Sequence, residues 1–310
     1  MRKMYRKMYF VCIIALLSAM IMIPASAKTW YVNDDGGYDF TNIQDALNAA
    51  SDGDTVFVYN GSYGGGIVIN KPNITLKGEG ADVVTYDGQG IEPGGWVAIG
   101  TGANAYGTVV ERLTIKNAPL KIPPGYNVAN VIIRDIVFDS PPSVITISGS
   151  NSTFMNNLVV NATPTSRTLY IPRNGTTIVN NTFLNGSGEA IRLGYAYYGP
   201  NSIIAKNNFI RNKAGIGLYT AGNDNKIYLN NFIDNINNTI YSIAIRVCPC
   251  VLRLPVVAEV VRVGRAAVGV FDWFGGVPED CGWRCAGIYC IINIVNEVVE
   301  VYLVIIACSI

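Results

Sequence analysis

Five residues suited to sugar recognition follow two strand-like segments of the sequence. Arg192, Tyr195, Tyr197 and Tyr198 lie in or directly after one segment, and Tyr219 follows the corresponding segment of the next repeat. Arginine donates forked hydrogen bonds, and tyrosine offers an apolar ring face with a polar tip. On adjacent turns of a repeat fold these side chains can line a shallow groove. We predict a binding surface for a polysaccharide or a cell-surface glycan. The alternative is that the tyrosines are ordinary surface residues of strands and loops.

Catalysis has little support in the sequence. The 310 residues include no histidine, which excludes a Ser-His-Asp triad, a Cys-His pair and a histidine-based metal site. Hydrolysis of a glycosidic bond requires two carboxylates that flank it. No carboxylate cluster recurs one turn apart among the sparse acids of the repeats, which are Glu111, Asp135, Asp139, Glu189, Asp224 and Asp234. We therefore predict no catalytic residue, no metal site and no cofactor.

A polysaccharide lyase or glycoside hydrolase remains the alternative function, and calcium would serve only under that alternative. The densest carboxylates are Asp34, Asp35, Asp52 and Asp54, which lie on either side of a predicted helix. Turn formation and helix N-capping explain acids at such positions without catalysis.

Four asparagine pairs indicate the elements that position these side chains. Their spacings are 24, 27 and 23 residues, and short segments of alternating polarity lie between them. A fixed period of this length, made of short strands, indicates a β-solenoid. Asparagine tolerates the left-handed corners of such a coil, and stacked amides can form hydrogen-bond ladders along its axis. We predict a single-stranded parallel β-helix over residues 28–241, with a structural ladder of Asn157, Asn181, Asn208 and Asn231.

The first turn of such a coil needs a cap, because its core is otherwise exposed. Residues 41–50 fit a short amphipathic helix with Ile43, Ala46, Leu47 and Ala50 on one face. Thr41 followed three residues later by Gln44 predicts a capping box at its start. The fold class is therefore all-β with a short N-terminal capping helix.

Residues 1–27 have the features of a signal peptide. A basic start precedes an apolar segment, and Pro24-Ala25-Ser26-Ala27 offers an Ala-x-Ala cleavage site before Lys28. A retained membrane anchor is the alternative. Removal of four positive charges changes the formal balance from +1 to −3, and no basic stripe suggests nucleic acid. We predict an exported protein at the cell surface or outside the cell, of unknown oligomeric state.

Export makes asparagine glycosylation possible at Asn-x-Ser/Thr sequons. Asn180 also lies in a sequon, but we expect it to be taken up by the stacked amides. The candidates are Asn60, Asn73, Asn151, Asn161, Asn174, Asn185 and Asn237.

Several segments resemble one known group of proteins. Trp30 to Gly37, the helix around Ile43–Leu47, Gly53 to Val56 and Ile74 to Gly80 are similar to the parallel β-helix surface proteins common in methane-cycling archaea. Those proteins are grouped with CASH-type carbohydrate-binding and sugar-hydrolase domains and with NosD-like periplasmic proteins, in the pectin-lyase-like superfamily. The resemblance covers about residues 29–241 and implies a right-handed coil. The copper association of NosD-like proteins does not carry over, because the repeats hold no histidine, no cysteine and only Met155.

Residues 242–310 differ abruptly in composition. Six of the seven cysteines lie there, while lysine and threonine disappear. Three interpretations stay open: a frameshift or mispredicted gene end, a genuine apolar cap or anchor, and a metal or disulfide module. In an exported chain the cysteines would pair as disulfides rather than bind metal.

Overall fold

The chain forms a parallel β-solenoid of about eight turns with one short helix. The computed structural model describes residues 27–89, 95–101, 104–123, 128–173, 175–194, 201–219 and 225–243, together with the backbone of five strands between 258 and 309. The predicted fold class is confirmed. From the second strand onward, each turn contributes one strand to each of three sheets, named A, B and C in chain order. Among the described residues, no helix is long and apolar enough to span a membrane; the predicted signal peptide lies outside them, save Ala27.

Sheet A begins the molecule, and its neighbouring strands pair in parallel. Its ten strands are β1 (Thr29–Val32), β2 (Thr55–Val58), β5 (Thr75–Gly78), β8 (Val109–Glu111), β11 (Ile132–Arg134), β14 (Thr153–Met155), β17 (Thr177–Val179), β20 (Ile203–Ala205), β23 (Lys226–Tyr228) and β26 (Ala258–Glu259).

Sheet B follows sheet A after a two-residue corner in most turns. Its eight strands are β3 (Gly61–Tyr63), β6 (Val84–Asp87), β9 (Thr114–Lys116), β12 (Val137–Asp139), β15 (Leu158–Val160), β18 (Thr182–Leu184), β21 (Asn208–Ile210) and β24 (Asn231–Ile233).

Sheet C completes each turn, and its last two strands lie in the cysteine-rich tail. Its ten strands are β4 (Ile67–Ile69), β7 (Val97–Ile99), β10 (Leu120–Ile122), β13 (Ile145–Ile147), β16 (Arg167–Ile171), β19 (Glu189–Leu193), β22 (Ala214–Tyr219), β25 (Asn237–Ile243), β29 (Arg284–Val295) and β30 (Val298–Ser309). In the tail, β29 pairs antiparallel with β25 and with β30, and β27 (Arg262–Val263) pairs with β28 (Ala266–Ala267). The three interpretations of the tail stay predictions.

Alternation of buried and outward side chains makes these short segments strands. In the three-residue strands of sheets A and B the middle residue is buried, except in β3, where Tyr63 at the third position is buried; sheet C buries the first and third. Stacked turns place like residues in columns: the rings of Phe183, Phe209 and Phe232 follow one another with centroids 5.4 and 5.0 Å apart. At about 1.5–3 kcal/mol for each fully buried side chain, a few inward residues stabilise a turn once its neighbours exist.

The corners use left-handed backbone conformations, as the asparagine content predicts. Asn156 and Asn180 have φ of 56° and 58° at the corner between sheets A and B, and Asn161 and Asn185 have φ of 55° and 56° after sheet B. Asparagine is several-fold enriched in this region because its short polar side chain tolerates it. The turns therefore close without glycine at these positions.

A buried asparagine ladder follows the corner between sheets A and B, but two of its predicted members were wrong. Asn157 Nδ2 donates to Asn181 Oδ1 (3.0 Å), and Asn181 Nδ2 donates to Asn207 Oδ1 (2.9 Å). Asn207 Nδ2 in turn donates to Asn230 Oδ1 (3.0 Å). In these last two turns Lys206 and Leu229 occupy the left-handed corner, so the asparagine pair is shifted forward by one residue.

That shift places Asn208 and Asn231 on the outer side of sheet B instead. Asn231 Nδ2 donates to Asn208 Oδ1 there (2.8 Å), in an exposed contact. A second buried ladder, which the sequence reasoning missed, joins Asn212 to Asn235 after sheet B.

Helix α1 (Ile43–Ala49) caps the first turn and buries Ile43, Ala46 and Leu47. The predicted capping box at Thr41 was wrong. Asn42 is the N-cap, and its Oδ1 accepts hydrogen bonds from Gln44 N (2.7 Å) and Asp45 N (3.4 Å). Gln44 does not return to the helix start because its side chain bonds strand β4.

Candidate functional site

The outer face of sheet C presents one row of polar side chains along the axis. Register pairing places its members on successive strands, at the position that alternates with the buried residues. Adjacent strands are about 4.8 Å apart, so the row follows the solenoid axis. Its members are Lys121, Thr146, Tyr170 and Arg192.

Arg192 lies at the centre of a hydrogen-bonded cluster in this row. Its Nε donates to Glu189 Oε2 and its Nη2 to Glu189 Oε1, both at 2.7 Å. The hydroxyl of Tyr219 donates to Glu189 Oε1 at 2.9 Å. Arg192 Nη2 also lies 3.3 Å from the Tyr219 hydroxyl and 3.3 Å from the carbonyl oxygen of Ser166. The cluster ties β19 to β22 and holds the guanidinium in one orientation.

Three cations on this face lie over aromatic rings. Distances to the ring centroid are 4.8 Å for Lys121 Nζ over Trp96, 4.4 Å for Arg167 Cζ over Tyr170 and 4.1 Å for Arg192 Cζ over Tyr219. All fall within the range of about 6 Å in which a cation is attracted to a ring face. The face thus combines apolar ring surface with positively charged donors.

Charge on this face is positive. Strands β4 to β25 of sheet C carry Lys121, Arg167 and Arg192 against the single carboxylate Glu189, so the balance is 3 − 1 = +2. Arg167 Nε is also buried without a hydrogen-bond acceptor among the described residues. A buried donor without a partner is costly, so this atom favours an acceptor supplied by a ligand or by water.

The structure brings together two of the five predicted binding residues. Arg192 and Tyr219 are in contact, as described, whereas Tyr195, Tyr197 and Tyr198 lie outside the described residues. Sequence reasoning missed Lys121, Trp96, Arg167 and Tyr170. In the sequence, these residues can be recognised only from the strand register. When successive turns are aligned on their buried residues, the outward residues of sheet C fall into one row.

The carboxylates of the repeats are separated on different faces. Glu111 on sheet A is buried and binds Arg134, whose Nε donates to Glu111 Oε2 at 2.7 Å, and it lies 3.4 Å from Lys77 Nζ. Glu189 on sheet C has both oxygens engaged. The described residues also include Asp135, Asp139 and Asp234, in corners and strands. Asp224 lies outside the described residues. In the part of the chain that the structure describes, no group of three or more metal-binding side chains occurs.

Acids near the helix have structural partners instead. Asp54 Oδ2 accepts hydrogen bonds from Ser51 N (2.8 Å) and Trp30 Nε1 (3.1 Å), and Asp34 Oδ2 accepts one from Ser62 N (2.9 Å). Burial raises the pKa of Asp54, but the hydrogen bonds from Ser51, Lys28 and Trp30 and the positive charge of Lys28 lower it more, and the net shift is downward. Asp54 is therefore held in its ionised form.

The sequon asparagines differ in what their side chains contact. The oxygens of Asn73 and Asn151 pack over the backbone of Gly107 and Gly175 in the next turn, where an added Cβ would approach them to 2.3 Å. Asn185 Nδ2 donates to Asn161 Oδ1 at 3.3 Å, and Asn237 also has a partner. Asn60 is exposed, and its side chain has no hydrogen bond to the described residues. Asn174 lies outside them.

A family model described as "Periplasmic copper-binding protein (NosD)" matches residues 47–245. The chain belongs to the NosD family. The resemblance to NosD-like proteins is thereby confirmed, whereas the archaeal source stays a prediction. None of the curated proteins compared with the chain matches it.

Solved structures of other proteins share the fold of this NosD-family chain. The catalytic domain of a GH87 alpha-1,3-glucanase in complex with tetrasaccharides has a TM-score of 0.53 at 17% identity, and the match covers 69% of this chain but only 40% of that one. A pectin methylesterase in complex with a hexasaccharide has a TM-score of 0.45 at 14% identity, with 67% and 78% covered. At 17% identity, the likeness to the glucanase domain shows the β-helix fold alone.

Copper does not fit the residues of the matched segment. Copper sites use thiolate, thioether or imidazole ligands, and residues 47–245 contain no cysteine, no histidine and one methionine. That residue, Met155, is half-buried on the outer side of sheet A, and its register neighbours are Arg134 and Val179. Neither neighbour can ligate copper. The NosD description therefore assigns no copper chemistry to this solenoid.

Proposed function

We propose that this protein is exported and binds glycans at the cell surface through the outer face of sheet C, as a structural or adhesive protein without catalytic activity. One observation carries the proposal: three cations lie over three aromatic rings on this face. A sugar ring has apolar C–H faces and hydroxyl edges, so it can pack on an aromatic ring while its hydroxyls meet hydrogen-bond donors.

Charge and dimensions favour an extended acidic glycan. Lys121, Thr146, Tyr170 and Arg192 occupy four successive strands, which extend about 14 Å along the axis. The net charge of +2 on the sheet attracts carboxylate or sulfate groups. The buried Nε of Arg167, without an acceptor among the described residues, is a further donor for such a group.

Export has support from the family and from the sequence. The NosD family is described as periplasmic, and residues 1–27 have the basic start, apolar segment and Ala-x-Ala site of a leader. A protein at the cell surface is also in contact with the glycans that such a face would bind.

A polysaccharide lyase or hydrolase is the alternative, and calcium belongs to it alone. Hydrolysis needs a second carboxylate about 5–9.5 Å from the first. On strands β4 to β25 of sheet C, Glu189 is the single carboxylate, and Arg192 and Tyr219 already occupy its oxygens. This geometry favours binding over turnover.

Affinity measurements on the mature chain test the proposal. We expect binding to pectate or alginate that weakens with added salt, and weaker binding to neutral glycans. Lys121→Ala and Tyr170→Ala should each weaken binding about tenfold, which corresponds to about 1.4 kcal/mol. Lys226→Ala, an exposed cation on sheet A, is the matched control and should leave affinity unchanged.

Two outcomes contradict the proposal. Equal loss of affinity in Lys226→Ala would show that binding is not localised to sheet C. Release of reducing or unsaturated ends from any of these glycans, with or without calcium, would replace binding with catalysis.

A further inference from the structure

Asp54 is a buried carboxylate with no cationic side chain in direct contact among the described residues. It is 5% exposed and accepts hydrogen bonds from three donors that are formally neutral in the intact chain: Ser51 N, Trp30 Nε1 and Lys28 N. In the described part of the chain, no lysine or arginine side-chain nitrogen lies within 4 Å of it. A buried charge is costly unless it is paired; the hydrogen bonds to this one all come from neutral donors, and the Lys28 ammonium acts on it only through space.

The third donor lies at the predicted cleavage site. Lys28 N donates to Asp54 Oδ1 at 2.8 Å, and Lys28 is the first residue after Ala25-Ser26-Ala27. Ala27 and Lys28, on the two sides of that bond, are both exposed residues. Lys28 is itself held in place, because Thr55 N donates to its carbonyl oxygen at 2.8 Å and its Nζ lies 3.0 Å from the centroid of Trp30.

We propose that Asp54 is the receptor for the mature N-terminus, and that removal of the leader at Ala27–Lys28 completes an ion pair that the precursor lacks. This inference rests on the proposed export. Hydrolysis of that peptide bond by a signal peptidase consumes one water, leaves a carboxylate on Ala27 and leaves an amino group on Lys28. The amino group takes up a proton at neutral pH and already lies at hydrogen-bond distance from Asp54 Oδ1.

The consequence is that processing stabilises the fold at its first strand. Strand β1 is the edge of sheet A, and Lys28 immediately precedes it. A charge-assisted hydrogen bond is about twice as strong as one between neutral groups. The α-ammonium therefore fixes β1 against β2 more firmly than the peptide N–H does in the uncleaved chain.

A comparison of six chains tests the pairing. One chain starts at Lys28 and a second carries a short neutral extension through Ala27; each is also made with Asp54→Asn and with Asp52→Asn, and all continue to Ile310. We expect the Lys28 chain to unfold at least about 2 °C above the extended chain. With Asp54→Asn the gap should close, and with Asp52→Asn, an exposed neighbouring acid, it should persist. The gap should also shrink above about pH 8, where an ordinary α-amino group loses its proton.

The outcomes separate this inference from the proposed function. No gap, or a gap that survives in Asp54→Asn, overturns the ion pair even if the protein is exported. If Asp54→Asn does not fold, Trp30→Phe removes one donor from Asp54 while leaving the pair intact, and the gap must remain. Expression of the chain with its own leader gives the other half. An intact mass that shows a start other than Lys28 overturns the inference, and retention of the chain inside the cell overturns the export proposal.

Discussion

The side-chain amide of Gln44 occupies the place of a neighbouring strand beside Val68. Gln44 Oε1 accepts a hydrogen bond from Val68 N at 2.6 Å, and Gln44 Nε2 donates to Val68 O at 3.2 Å. Strand β4 is the N-terminal edge of sheet C, and an open edge is a template for pairing with another chain. The helix therefore both covers the core and satisfies the backbone of the edge strand.

The other two N-terminal edges are blocked in related ways. Asp39 Oδ2 accepts a hydrogen bond from Tyr31 N at 2.9 Å on β1, and Phe40 N donates to Tyr31 O at 3.1 Å. Asp34 Oδ2 does the same for Ser62 N on β3. All three sheets thus end on side-chain acceptors at this end of the molecule.

Removal of the Gln44 amide should expose the edge of sheet C. Gln44→Ala leaves Val68 N–H and C=O without partners, and we expect a loss of about 1–3 kcal/mol in unfolding free energy together with concentration-dependent self-association. Sedimentation velocity and denaturant unfolding measure the two effects. Asn48→Ala is the control, because its amide contacts Gln44 Nε2 (2.9 Å) but no strand. If Gln44→Ala stays monomeric and as stable as Asn48→Ala, the strand-mimic role is refuted.

Adjacent asparagines should differ sharply in their contribution to stability. Asn207 is fully buried and hydrogen-bonded on both sides of the ladder, whereas Asn208 is partly exposed on sheet B. We expect Asn207→Ala to cost about 1–3 kcal/mol because it leaves buried groups unpaired. Asn208→Ala should stay within about 0.5 kcal/mol. Urea unfolding of the two variants decides between them, and equal losses would contradict the assigned ladder.

Acid should destabilise the first turns through Asp54. Its pKa is lowered in the folded protein, so its contribution is fully present above the ordinary value of 3.8 and is lost as the pH falls through the lower folded value. Thermal unfolding followed from pH 6 downward should therefore show a loss that Asp54→Asn lacks. Parallel acid profiles for wild type and Asp54→Asn would show that the carboxylate is not responsible.

Asn60 should be the most fully glycosylated sequon when the chain is secreted by a host that modifies Asn-x-Ser/Thr. Its side chain is exposed and unbonded among the described residues, whereas those of Asn161 and Asn185 are paired with each other. Glycopeptide mapping gives the occupancy of each site, and Ser62→Ala removes the sequon while keeping Asn60. Higher occupancy at Asn161 or Asn185 than at Asn60 would contradict this ranking.

Much of the solenoid could be predicted from sequence, but its register could not be predicted from the asparagine pairs alone. The pairs mark the right corner in all four turns, and Asn157 and Asn181 do lie in the ladder. The error at Asn208 and Asn231 has a signal in the sequence. In the last three turns the ladder asparagine precedes the buried phenylalanine by two residues, as Asn207 precedes Phe209. The inward residue fixes the register because burial tolerates no one-residue slip.

The binding face was only partly predictable for a similar reason. Arg192 and Tyr219 stand out as residue types, but Lys121 and Tyr170 matter through their positions on successive strands. Loops of different length separate those strands, so sequence spacing varies from turn to turn: the row steps from Lys121 to Thr146 by 25 residues and from Tyr170 to Arg192 by 22. The N-cap is Asn42 rather than Thr41 because the side chain of Gln44 hydrogen-bonds strand β4 instead of completing a capping box. Residue propensities do not include this tertiary contact.

The length of the polar row on sheet C depends on the number of turns in the solenoid. Every added turn would bring one more outward position to that face while leaving the earlier ones in place, because each turn contacts only its neighbours. Gain or loss of whole turns can therefore lengthen or shorten the surface offered to a chain-like ligand in steps of about 4.8 Å. In this architecture, the number of repeats sets the length of the binding surface, and no pocket has to be rebuilt to change it.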